Sequence, residues 1–152
     1  MMNANLIKLC LGGGLFAVLA FIHFFVDFIC QTHFEAMNKH NNALIRARHC
    51  LIYTLGFLPM IICLRQWECY TVVEAFIAAN VLFWSHHAED TYLPVYWWAK
   101  YIRKPTEMLP PNDPKEGFIK FISTVLGKIL LIAVDQVIHL AFLFPLVYMA
   151  LN

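Results

Sequence analysis

Charge is scarce in this chain. Only 14% of its 152 residues are charged, and 11 Lys and Arg nearly cancel 10 Asp and Glu to leave a net +1. That balance gives no field to gather a polyanion, and no basic run with interleaved aromatics is present, so nucleic-acid binding is set aside. Cys10, Cys30, Cys50, Cys63 and Cys69 are odd in number, scattered and without a C-x-x-C pair. Neither a disulfide framework nor a zinc knuckle fits them, and buried reduced thiols are expected. The chain also lacks H-E-x-x-H, G-x-S-x-G, a phosphate-cradling glycine loop and the Glu-x-x-His pairs of ferritin-like carboxylate sites. Seven histidines without an H-x-x-H-H element are too few for the His boxes of membrane desaturases and hydroxylases.

What fills the chain instead is apolar: 61% of residues are hydrophobic and the mean hydropathy is +0.62, a membrane composition. Lys8 is the lone lysine before a long apolar run with no small-residue cleavage motif, which predicts an uncleaved anchor. Residues 1–152 read as one all-α domain, an integral membrane bundle of four transmembrane helices over about 6–29, 49–66, 71–88 and 129–151. Each reaches, or extends to, the length needed for a core of about 30 Å. The polar stretch 92–117 holds five prolines that rule out a continuous helix. Within it, Trp97 to Lys104 (WWAKYIRK) has the aromatic and cationic mixture of an interfacial helix, whose Lys100, Arg103 and Lys104 would meet anionic headgroups of membrane lipids. Pro145 predicts a kink in the last span. Gly12 to Gly14 predict close helix packing or bending.

Four spans put both termini on one side. The long loops and the start of segment four hold Lys39, Arg46, Arg48, Lys100, Arg103, Lys104, Lys115 and Lys120, against Lys8 and Arg65 on the other side. The asymmetry predicts cytoplasmic loops and external termini.

The remaining signal is polar residues inside apolar runs. In FIHFFVDFICQ (Phe21 to Gln31), His23, Asp27 and Gln31 share one helical face if the helix is regular. His49 and Tyr53 open segment two, His86, His87 and Asp90 close segment three, and Asp135, Gln136 and His139 lie in segment four. The pairs His23 and Asp27, His86 and Asp90, and Asp135 and His139 are all spaced i, i+4, so each stacks imidazole on carboxylate. On the expected topology all lie toward the cytoplasmic leaflet. Such groups in hydrocarbon are costly unless paired, protonated or metal-bound.

A single pair of this kind is most simply helix–helix glue, but three pairs plus His49 favour a metal site. The candidate ligands are His23, Asp27, His86, Asp90, Asp135 and His139, supported by Gln31, His49, Tyr53 and Gln136. Nitrogen and oxygen donors without thiolate suit zinc, manganese or iron, as one or two ions. Asp90 or Asp135 could instead orient an imidazole. His33 and His40 are expected to be solvated. Glu74 is expected to pair with Lys8 or reach the interface. His87 is expected to face away from His86.

HFFVDFICQT (His23 to Thr32), HCLIYTL (His49 to Leu55), SHHAEDTY (Ser85 to Tyr92) and DQVIHLAF (Asp135 to Phe142) together resemble the four blocks of the bacterial and phage membrane proteins called domain of unknown function 3307. The resemblance implies a small multi-pass protein of the bacterial inner membrane and carries the functional positions onto His23, Asp27, Gln31, His49, His86, Asp90, Asp135, Gln136 and His139. It supplies no activity. Glu89 stands where that pattern would have an apolar residue. Three functions follow as expectations: a metal-dependent hydrolase of a phosphoester or lipid-linked substrate, an ion or proton channel or carrier using the same cluster, or a structural assembly protein. A homo-oligomer is compatible with each.

Overall fold

A computed structural model describes residues 4–152, with side chains from residue 7 onward. The chain is all-helical, without strands among the described residues. Helix α1, Ala4–Phe24, runs directly into a π-helical turn, Phe25–Ile29. A short helix α2, His33–Asn38, follows, opened by a reciprocal capping box between Thr32 and Glu35. Asn42 then caps α3, Ala43–Gln66, by accepting from the amides of Leu44 and Ile45. A tight turn leads to α4, Val72–Glu89, which packs most extensively on α3.

Next come α5, Leu93–Trp98, prolonged by a second π-helical turn, Ala99–Arg103, and then α6, Pro114–Ser123. The last stretch is α7, Val125–Ala141, and α8, Phe144–Leu151, with Pro145 in the first turn of α8. The break between them falls where Pro145 predicts a kink. The second apolar segment starts at Ala43 rather than 49 because the Asn42 cap comes earlier than the hydropathy. The fourth apolar segment starts at Val125 rather than 129, where Thr124 caps α7 by accepting from the Gly127 amide.

Among the described residues, three helical stretches are long and apolar enough to cross a membrane: Ile7–Ile29, Ala43–Gln66 and Val125–Leu151. The burial pattern agrees with a lipid surround. His23, His49, His86 and His139 are 0–2% exposed, whereas Leu9 and Phe21 are 72% and 70% exposed. An apolar exterior around a polar interior has no reason to persist in water, and in hydrocarbon it minimises unsatisfied groups.

Several local expectations need correction. Glu74 does not meet Lys8: at the exposed start of α4 it accepts from the amide and hydroxyl of Thr71 at 2.7 Å and closes the capping box of that helix. Of the five free cysteines, only Cys50 is buried, while Cys10 and Cys30 are exposed on the apolar exterior, where a thiol is tolerated as a small hydrophobe. Gly12 does pack closely, since a Cβ there would lie 2.9 Å from Leu151 Cδ1, but Gly13 and Gly14 face open space.

At the end of the bundle near Tyr70 lies a buried polar link, the Tyr70 hydroxyl donating to the Leu146 carbonyl at 2.6 Å. Tyr70→Phe is expected to cost about 1 kcal/mol, read as a lower thermal midpoint in detergent with the helical content unchanged. An unaltered midpoint would show that the bond contributes nothing.

Candidate metal centre

Local chain geometry brings the polar residues together from four directions. The π-helical turn replaces the last regular turn of α1 and carries Asp27 inward, fully buried beside His49 and His86. Such turns are rare and frequent at functional sites, because one extra residue per turn re-aims a side chain. The same feature separates Gln31 from the others: the helix ends at Ile29, so Gln31 is off the face shared by His23 and Asp27, and its buried Oε1 has no protein partner.

At the centre, Asp27 Oδ1, His49 Nε2 and His86 Nε2 face one another with separations of 3.1, 3.5 and 2.9 Å. Donors held about 2.1 Å from one tetrahedral ion lie about 3.4 Å apart, so this triangle has nearly the edges of one face of such a site. Asp90 Oδ2 lies 3.6 Å from His49 Nε2 and 3.5 Å from His86 Nε2, and has no hydrogen-bond partner. Tyr53 stacks on the His86 ring at 3.8 Å and fixes its plane.

A second triad is made by His86, Glu89 and His139. His139 Nδ1 donates to the Asp135 carbonyl at 2.8 Å, which leaves Nε2 as a lone pair 3.1 Å from Glu89 Oε2. A lone pair facing a carboxylate at that distance requires a proton or a cation between them. Both triads draw on His86, so a single imidazole lone pair limits the pair to one ion at a time unless His86 bridges through both nitrogens.

His23 is fully committed elsewhere. It donates from Nε2 to Gln136 Oε1 at 2.8 Å, and its Nδ1 accepts from the Tyr53 hydroxyl at 3.0 Å. Gln136 in turn donates to Asp135 Oδ2 at 3.3 Å and Asp27 Oδ2 at 3.5 Å. Asp135 lies at the edge of the cluster, its carboxylate 3.6 Å from His139 Nδ1. The structure thus brings Asp27, His86, Asp90 and His139 to the centre, with His49 among them rather than at the periphery. His23, Tyr53, Gln136 and Asp135 form a surrounding hydrogen-bonded layer. His87 faces Phe83 and Trp84, away from His86.

Two participants escaped the sequence reading. Glu89, conspicuous only as an unexpected acidic residue, points inward and is buried. Lys39, counted among the loop cations, is also buried, with Nζ 2.9 Å from Asp90 Oδ1, 3.3 Å from Asp27 Oδ1 and 3.2 Å from His49 Nε2. Burial opposes its charge, but Asp90 and Asp27 outweigh that and raise its pKa. Its readable signal was the T-x-x-E capping box at Thr32 to Glu35 with the Asn42 cap, which fold this stretch back onto the bundle. Arg46 fixes the return by donating to the Lys39 and His40 carbonyls at 2.9 and 3.1 Å. His40 is half-buried rather than solvated, its ring stacked on Tyr92 at 3.9 Å, and burial lowers its pKa.

The fold and site define an all-helical protein with three membrane-length apolar helices around buried Asp and His groups that could hold a metal ion. Comparison of the chain with protein-family models, with curated proteins and with solved structures finds no match.

Proposed function

We propose that this is a four-span membrane protein, α4 being the fourth span, that binds a divalent ion near the cytoplasmic leaflet and uses it to hydrolyse a phosphoester or lipid-linked substrate. The observation that carries the reading is the donor triangle of Asp27, His49 and His86, whose edges suit an ion such as zinc or manganese. Three protein donors leave a coordination position for water, whose acidity the ion would raise toward neutral pH. Lys100, Arg103 and Lys104 supply the contact with anionic headgroups. Arg103 and Lys104 are exposed, and the Lys100 ammonium lies 5.3 Å from the Tyr101 ring. The resemblance to domain of unknown function 3307 and the charge asymmetry support a bacterial inner membrane with external termini.

The test is elemental analysis of protein purified in mild detergent. Wild type is expected to carry about one ion per chain, because His86 is shared, and His49→Ala with His86→Ala to carry none. Equal, negligible metal in both proteins would sink the reading. A proton relay is the second reading, favoured by the continuous chain Tyr53, His23, Gln136 and Asp27. It requires pH-dependent flux in liposomes that His23→Phe abolishes.

A further inference from the structure

The donor triangle and the Lys39 ammonium overlap on one atom. Resting on the metal reading above, we propose that Lys39 is the resident cation of this site, and that its ammonium and a divalent ion are mutually exclusive occupants of His49 Nε2. An imidazole nitrogen has one lone pair. Here the ammonium lies 3.2 Å from that nitrogen, which also faces Asp27 Oδ1 at 3.1 Å and His86 Nε2 at 2.9 Å, so the ammonium closes on the same point that an ion entering the triangle would take.

The match is complete on the lysine side. An ammonium has three N–H donors, and Asp90 Oδ1, Asp27 Oδ1 and His49 Nε2 are three acceptors at 2.9, 3.3 and 3.2 Å. Asp90 distinguishes its oxygens in the same sense: Oδ1 holds the ammonium, while Oδ2 faces His49 and His86 without a partner and is free to meet an entering ion.

Opening needs little of the fold to move. Arg46 pins the carbonyls of Lys39 and His40, and the α2 capping box holds the short helix, so the backbone stays in place. The four-carbon stem of Lys39 swings its ammonium out, exchanging three buried contacts for solvent or headgroup phosphate. Lys39 thereby sets a threshold for metal occupancy and excludes ions too weakly bound to displace it.

Two measurements decide this with Zn(II) as the probe. In equilibrium dialysis, Lys39→Met is expected to bind Zn(II) about tenfold more tightly than wild type, or tighter still, since it removes a buried competitor of at least about one hydrogen bond to a charged group. Equal or weaker binding by a folded Lys39→Met protein overturns the proposal while leaving a His49-dependent metal site standing. Absence of Zn(II) binding from both proteins overturns the metal reading and the proposal together. Should Lys39→Met fail to fold, wild type suffices. Acetylation of Lys39 by an amine-reactive reagent, read by mass spectrometry, is expected to rise severalfold at saturating Zn(II), and labelling that stays flat or falls while Zn(II) is bound overturns the exclusion.

Discussion

Asp27→Ala is expected to be the most damaging single substitution in the polar cluster. The carboxylate is buried and serves Lys39, His49 and His86 from one oxygen and Gln136 from the other. Breaking a buried charge pair by deleting one partner costs about 3–5 kcal/mol, because the other charge is stranded. Lys39 keeps Asp90 at 2.9 Å, which places the expected loss near 3 kcal/mol, the lower end of that range. The same substitution removes an oxygen from the donor triangle, so bound metal should be lost as well. The two effects separate in a double-mutant cycle: Asp27→Ala with Lys39→Met should lose less stability than the sum of the two single losses, since both singles break the same lysine–aspartate contact, yet remain unable to hold metal. A double loss equal to the sum of the two single losses would show that the lysine and aspartate are not energetically coupled.

Gly56→Ala should be nearly as damaging and by a purely steric route. A Cβ at Gly56 would lie 3.1 Å from Val26 Cγ1 and closer still to Cγ2, so α3 and the π-helical turn touch where only a hydrogen fits. Val26 precedes Asp27 directly, and any relief that pushes the turn outward drags the carboxylate off His49 and His86. Overpacking of this kind costs about 1–3 kcal/mol, and a loss of metal should accompany it. Val26→Ala removes both offending methyl groups, so Gly56→Ala with Val26→Ala is expected to regain metal binding that Gly56→Ala alone lacks. A Gly56→Ala protein with wild-type metal content would show that the turn is not held against α3.

The i, i+4 pairing of His86 with Asp90 and of Asp135 with His139 was legible because a regular helix repeats every 3.6 residues, and both pairs do lie together, at 3.5 and 3.6 Å. The pairing of His23 with Asp27 is different. The π-helical turn begins two residues after His23, so His23 turns to Tyr53 and Gln136 while Asp27 turns to His49 and His86. Nothing in the hydropathy distinguishes an extra residue in that turn. Lys39 was misread for a related reason: a cation in a polar stretch is normally solvated, and only the fold-back of α2 on α3 buries it.

Composition and periodicity by themselves determined an all-helical chain with membrane-length apolar segments and His and Asp residues on their inward faces, because both follow from local preferences and from the cost of polar groups in hydrocarbon. The tertiary structure decided which of those residues share a centre, that His49 and Glu89 belong there and Gln31 does not, and that Lys39 lies among them. Those outcomes depend on where one helix departs from regular geometry and on how a short helix packs back, and neither is encoded in the spacing of residues along a single segment.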